Sequence, residues 1–224
     1  MASLPAREMK IGKIVDKTLG VLEANAVPAL IFLVVLTALS VPVNYFAAGS
    51  LSFTRLVGAQ LLTAAFGTVC GYFLLVAMLR RTGLLTQTSE DAFLPYIGLS
   101  VLSSLGVLLG VLALVLPGLF IMARWIVAGP ILVAGGNGVM ASLGESWERT
   151  RGSEFQIIGA GLALGLVLIA GGIAVSVFLE AESLPRIIVA QVLSSAASVM
   201  FLALGVTLYG IMAAASEKQA TPAS

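Results

Sequence analysis

Residues 117–152 read PGLFIMARWIVAGPILVAGGNGVMASLGESWERTRG, and the parsing of this stretch decides the fold. It opens on Leu116-Pro117-Gly118 between two apolar runs, a turn signal in which proline fixes φ and glycine accepts φ > 0. The run 118–135 that follows is near the length of about 18–20 apolar residues needed to span a bilayer. It carries Arg124, the only charge set deep inside an apolar run of this chain. The segment 138–152 then places Val139, Leu143, Trp147 and Thr150 at helical spacing among polar neighbours. Turn, membrane-crossing helix and surface helix follow one another without interruption.

Composition extends that reading to the whole chain. Of 224 residues, 59% are hydrophobic and 10% charged, with mean hydropathy +1.07. A soluble domain carries about 25% charge, so lipid is the expected solvent and the expected class is an all-α, polytopic membrane helix bundle. The continuous apolar runs exclude the alternating ten-residue strands of a transmembrane barrel. A net charge of +1 gives no basicity that would attract nucleic acid. The single Cys70 lies in an apolar run, and there is no histidine, the commonest general base and metal ligand.

Working outward, six crossings are expected at about 27–47, 57–79, 93–116, 118–135, 155–179 and 187–213. Residues 1–9 and 217–224 are expected to be disordered tails around a single domain spanning 10–216. A cleaved secretory signal is not expected, because a long charged lead precedes the first apolar run. Within that lead, Ile11, Ile14, Val15, Leu19 and Leu22 repeat at three and four while Lys10, Lys13, Asp16 and Lys17 take the other side. This pattern predicts interfacial amphipathic helices at about 10–25 and again at 138–152. Arg7, Lys10, Lys13, Lys17, Arg80, Arg81, Arg149, Arg151 and Lys218 fall on one side of the six crossings, and only Arg55 and Arg186 on the other. The positive-inside rule then places both termini in the cytoplasm.

Small residues mark packing. Gly67 and Gly71, Gly106 and Gly110, and Gly161 and Gly165 are spaced so that helix backbones can approach, within the chain or across a homo-oligomer contact. A faint echo at an offset of 128 residues aligns Val15, Thr18, Leu19 and Val27 with Leu143, Ser146, Trp147 and Phe155, an amphipathic stretch leading into a crossing each time.

The central stretch resembles the YciC-like integral membrane proteins of bacteria and archaea, and the membrane domain attached to some glycerophosphoryl diester phosphodiesterases. The likeness rests on the Pro117-Gly118 turn, the helix holding Arg124 and Trp125 with Pro130 midway, and the helix ASLGESWERTRG at 141–152. It differs at 134–136, where Ala-Gly-Gly stands in place of an expected acidic residue. A phosphodiesterase domain is not expected here, so the resemblance implies six helices with interfacial helices rather than an activity.

The inventory of reactive groups points the same way. The eleven carboxylates are all expected in tails, loops or surface helices, which leaves no triad, dyad or metal cluster and no mid-membrane acid for ion coupling. No enzyme activity, cofactor or metal is expected. Arg124 lies seven residues past Pro117, roughly 10 Å down the helix. It should snorkel, bind carbonyls or pair with an acid, with Glu180 and Glu182 as the expected partners, acting either as a structural latch or as an anion or lipid-phosphate anchor. Pro130 should kink or break its helix, at an exit bend or at a substrate site. On the surface helix, Glu145–Arg149 and Glu148–Arg151 are favourable pairs, and Trp147 suits the headgroup level. Trp147, Arg149 and Arg151 therefore form the expected contact with membrane lipids or a protein partner. The expected role is a non-enzymatic bacterial inner-membrane scaffold, accessory subunit or lipid-interacting module. The alternative is a small permease or channel with its path near Arg124 and the Pro130 break.

Overall fold

A computed structural model of the chain describes residues 10–48, 52–85, 92–136, 138–180 and 183–220, with side chains as far as Ser216. The expected tail 1–9 and residues 221–224 lie outside the described residues, and the last helix runs on to Ala220 rather than ending near 213. All described elements are helices: α1 (Ile11–Ala24), α2 (Ala26–Ala47), α3 (Phe53–Arg81), α4 (Phe93–Ala113), α5 (Val115–Trp125), α6 (Ala128–Gly135), α7 (Val139–Arg149), α8 (Glu154–Phe178) and α9 (Leu184–Ala220). Six spans are long and apolar enough to cross a membrane: α2, α3, α4, α5 with α6, α8 and α9. Residues such as Leu30, Leu61, Leu112, Val167 and Phe178 are exposed on these spans. That outward-facing apolar surface is what a lipid solvent requires of a multi-pass membrane protein.

Prolines mark the starts of five helices, although Pro42 lies inside α2. Pro28, Pro95, Pro117, Pro130 and Pro185 each fall within the first three residues of a helix. The first four N–H groups of a helix have no internal acceptor, so a missing N–H costs nothing there. One expectation is corrected on this ground. The turn before the fourth crossing is not at Pro117-Gly118 but at Leu114, whose φ of −173° and ψ of 148° separate α4 from α5. Gly118 lies inside α5 and has no positive φ. Its value is closeness, since a Cβ there would meet the Val111 backbone N at 2.9 Å and one on Gly110 would meet the Gly118 Cα at 2.9 Å.

Pro130 breaks its span into two helices. It cannot donate to the Ile126 carbonyl and its ring clashes with that group. Accordingly α5 ends at Trp125, residues 126–127 form a turn, and α6 starts anew at Ala128. The Ile126 carbonyl is turned towards α9, where a Cβ at Gly205 would sit 2.7 Å from the oxygen. The broken span is the centre of the bundle: half of it is buried, against 11–28% for the other five. Ile131, Leu132 and Val133 of α6 are buried among residues of α3 and α9.

The two amphipathic helices dock on the bundle as well as facing outward. Ile14 and Thr18 of α1 are buried on the side packed against α8 and α9, while Ile11 and Leu19 remain partly exposed. Ser142, Leu143 and Ser146 of α7 are buried on the side packed against α4, α5 and α6. The offset seen in the sequence recurs in the elements. Ile11 and Val139 start α1 and α7, Ala26 and Glu154 start α2 and α8, and both pairs are 128 positions apart. At the same offset the buried residues Ile14, Thr18 and Asn25 match the buried Ser142, Ser146 and Ser153.

Candidate functional site

Arg124 is the next-to-last residue of α5, beside the helix break. The break sends α6 away and lets α7 return along α5, which brings the end of α7 and the start of α8 to the arginine. Ser146 Oγ donates to the Arg124 carbonyl at 2.7 Å and Thr150 Oγ1 to the same oxygen at 3.3 Å. These hydroxyls supply donors to a carbonyl in the last turn of α5, where internal ones run out. In return Arg124 Nη1 donates to the Trp147 carbonyl at 2.7 Å, in the last turn of α7. Its Nη2 lies 2.6 Å from Glu154 Oε1, and the side chains are only 8% and 11% exposed.

The pairing follows helix polarity. A cation is favoured at the negative C-terminal end of α7, and a carboxylate at the positive N-terminal end of α8. Glu154 Oε1 also accepts the Gly152 N–H at 3.1 Å, in a turn where Gly152 holds φ at 82°. The guanidinium is sandwiched by aromatic faces, 5.1 Å from the Phe120 centroid and 4.9 Å from that of Trp147. Its Nε has no hydrogen-bond partner among the described residues.

The expected acids are therefore corrected. Glu180 lies beyond the far end of α8, roughly 37 Å from Glu154 at the helical rise for 25 residues. Glu182 is outside the described residues. The Trp147 ring packs on Phe120 and Trp125. Arg149 is held by Glu145 at 2.5 Å, and Arg151 reaches Glu148 at 4.0 Å with both side chains largely exposed. Much of the positive charge of α7 is thus answered by its own acids.

A more basic recess lies where α1, the end of α3 and the last half of α9 meet. Lys17, Arg81, Thr82 and Thr207 line a cavity of about 420 Å³ together with apolar residues including Leu84 and Val206. Arg81 Nη1 donates to the Ala24 carbonyl at 3.3 Å, which fixes its stem across the end of α1. Lys10, Lys13, Lys17, Arg80 and Arg81 are all exposed on this end of the bundle.

A second chamber, also about 420 Å³, lies beside the helix break between α3, α4, α6 and α9. Its lining includes Thr68, Ser100, Ser103, Ser104 and Ser198 as well as Gly129 and Pro130, with no charged side chain. Trp125 separates it from Arg124 and presses its ring on Gly106. A third cavity, about 220 Å³ between α5, α8 and α9, is lined by apolar residues and glycines. Among the described residues, no three His, Cys, Asp or Glu side chains gather as metal ligands.

Glu154, Gly205 and the scattered hydroxyls were not singled out from sequence. Glu154 carried a signal, a carboxylate at the first position of an apolar helix. Comparison with family models, curated proteins and solved structures gave no match for this chain.

Proposed function

We propose that this chain is a non-enzymatic, YciC-like protein of the bacterial inner membrane, with both termini in the cytoplasm, that works as a lipid-interacting module or scaffold through its basic end. The observation that carries this reading is the recess between α1, α3 and α9, where Lys17 and Arg81 flank a cavity with apolar walls. Two cations at the rim of a membrane bundle suit the phosphate of an anionic lipid, and the apolar walls suit the start of its acyl chains. Arg124 is a latch in this reading, because Glu154 already answers its charge. Arg149 and Arg151 contribute at the rim of the same end, weakened by Glu145 and Glu148.

The test is native mass spectrometry of the protein released from nanodiscs of mixed phosphatidylglycerol and phosphatidylcholine. Retained phosphatidylglycerol should fall about thirtyfold or more in Lys17→Glu/Arg81→Glu, as expected from the loss of two basic residues at about 1 kcal/mol each at a membrane surface. Equal retention by the variant and the parent chain would remove the reading.

A second reading, a small permease, draws on the hydroxyl-lined chamber beside Pro130. Swelling of proteoliposomes in small neutral solutes tests it, and swelling no faster than that of protein-free vesicles rejects it.

A further inference from the structure

The chamber between α3, α4, α6 and α9 lies in the membrane-spanning part of the bundle, away from the basic end. Ser104 lies near the middle of α4, and Thr68 near the middle of α3. Thr68 Oγ1 donates to the Ala64 carbonyl at 2.9 Å and Ser198 Oγ to the Ser194 carbonyl at 3.1 Å, so both present lone pairs to the chamber. Tyr96 and Ser100 are bonded to each other. Ser103 and Ser104 make no hydrogen bond to the described residues and keep donors to offer. Ile126, whose carbonyl Pro130 has freed, lines the same space beside Gly205.

Donors and acceptors without charge, at mid-depth, define the ligand. In hydrocarbon an unpaired hydroxyl is costly, so these groups call for a polar occupant. A phosphate or carboxylate would be buried there with no cation to answer it. Ser104 and Ser198 are exposed on surface that faces lipid, which sets the mouth of the chamber sideways rather than at either aqueous end. The volume falls within the range of about 300–1,000 Å³ of small-molecule sites.

We propose that this chamber is a lateral binding site for the head group of an uncharged, membrane-dissolved lipid alcohol of the diacylglycerol kind. Its free hydroxyl donates to the Thr68 or the Ser198 oxygen and accepts from Ser103 and Ser104, while the acyl chains leave between α4 and α9 into the bilayer. The site is independent of the basic recess, and either can fail without the other.

The experiment uses the full chain in nanodiscs and a photoactivatable diazirine diacylglycerol, with adducts mapped by peptide mass spectrometry. Adducts are expected on the chamber-facing parts of α4 and α9. Excess dioleoylglycerol should compete with them and phosphatidic acid should not. Ser103→Ala/Ser104→Ala should lower labelling at least fivefold, and the space-filling Ala64→Phe should do the same with both serines intact. Lys17→Glu/Arg81→Glu should leave labelling unchanged. The proposal is overturned if adducts spread evenly over the lipid-facing surface, if phosphatidic acid competes equally, or if neither chamber variant lowers the yield. It is also overturned if no adduct forms, and reaction of Ser103→Cys (in Cys70→Ala) with a water-soluble thiol reagent would then mark an aqueous path instead.

Discussion

Replacing Glu154 by glutamine tests whether the arginine cluster holds α5, α7 and α8 together. The substitution keeps an oxygen for the Gly152 N–H but removes the charge that faces Arg124 at 2.6 Å. The guanidinium then retains the Trp147 carbonyl and two aromatic faces, in a site where only 8% of the side chain is exposed. Leaving one member of a buried pair uncompensated costs about 3–5 kcal/mol, whereas removing both members together is often close to neutral. The partial compensation by the carbonyl and the rings puts the expected loss at the lower end, about 3 kcal/mol. For a chain of this length each 1 kcal/mol lowers Tm by about 2–4 °C, so the expected fall is about 6–12 °C. The readout is built in, because the two tryptophans of the chain, Trp125 and Trp147, both lie in the cluster and their fluorescence reports its melting. Arg124→Met should cost a similar amount, and Arg124→Met/Glu154→Leu should recover most of it. Single variants within about 2 °C of the parent chain, or a double variant whose loss is the plain sum of the two, would refute the latch.

Other substitutions separate backbone geometry from side-chain contacts. Gly205→Ala puts a Cβ against the Ile126 oxygen at 2.7 Å, where backbone must yield, and should destabilise by about 1–3 kcal/mol in denaturant titration in detergent. Gly152→Ala, at φ 82°, should cost about 1–2 kcal/mol in thermal melts. Gly144→Ala is its control on the exposed side of α7 with open space around it, and should stabilise by up to about 1 kcal/mol. Ser146→Ala deletes a donor to the Arg124 carbonyl inside the protein and should cost about 1–3 kcal/mol, shifting tryptophan emission as it does so.

The six spans were legible because a bilayer imposes length. Each crossing needs one long apolar run, and nothing else in the chain imitates it. The amphipathic helices were legible for a similar reason, as stripes at helical spacing, although the stripes face protein as well as lipid. What escaped was the position of the turn before the fourth crossing and everything that depends on it. Pro117-Gly118 reads as a turn in isolation, yet proline is also at home in the first turn of a helix, and the local letters do not distinguish the two. That shift of a few residues, with the return of α7 along α5, moves Arg124 from an outer depth to the start of α8. A partner chosen by depth alone, Glu180, then lies at the wrong end of the bundle. Gly205 and the chamber are non-local in a stronger sense. Neither Thr68, Ser103 nor Ser198 is unusual in its own helix, and only packing places their helices around one space.

The account rests on α1 and α7 docking at one end of the bundle, which the proposed orientation puts in the cytoplasm. Single cysteines at Lys13 on α1, Glu148 on α7 and Thr54 on α3, each in a Cys70→Ala background, test this directly with a membrane-impermeant maleimide. Lys13 and Glu148 should be labelled only after the inner membrane is opened, and Thr54 should be labelled in intact spheroplasts. Labelling of Lys13 and Glu148 from opposite sides of the membrane, or of either one in intact spheroplasts, would contradict it.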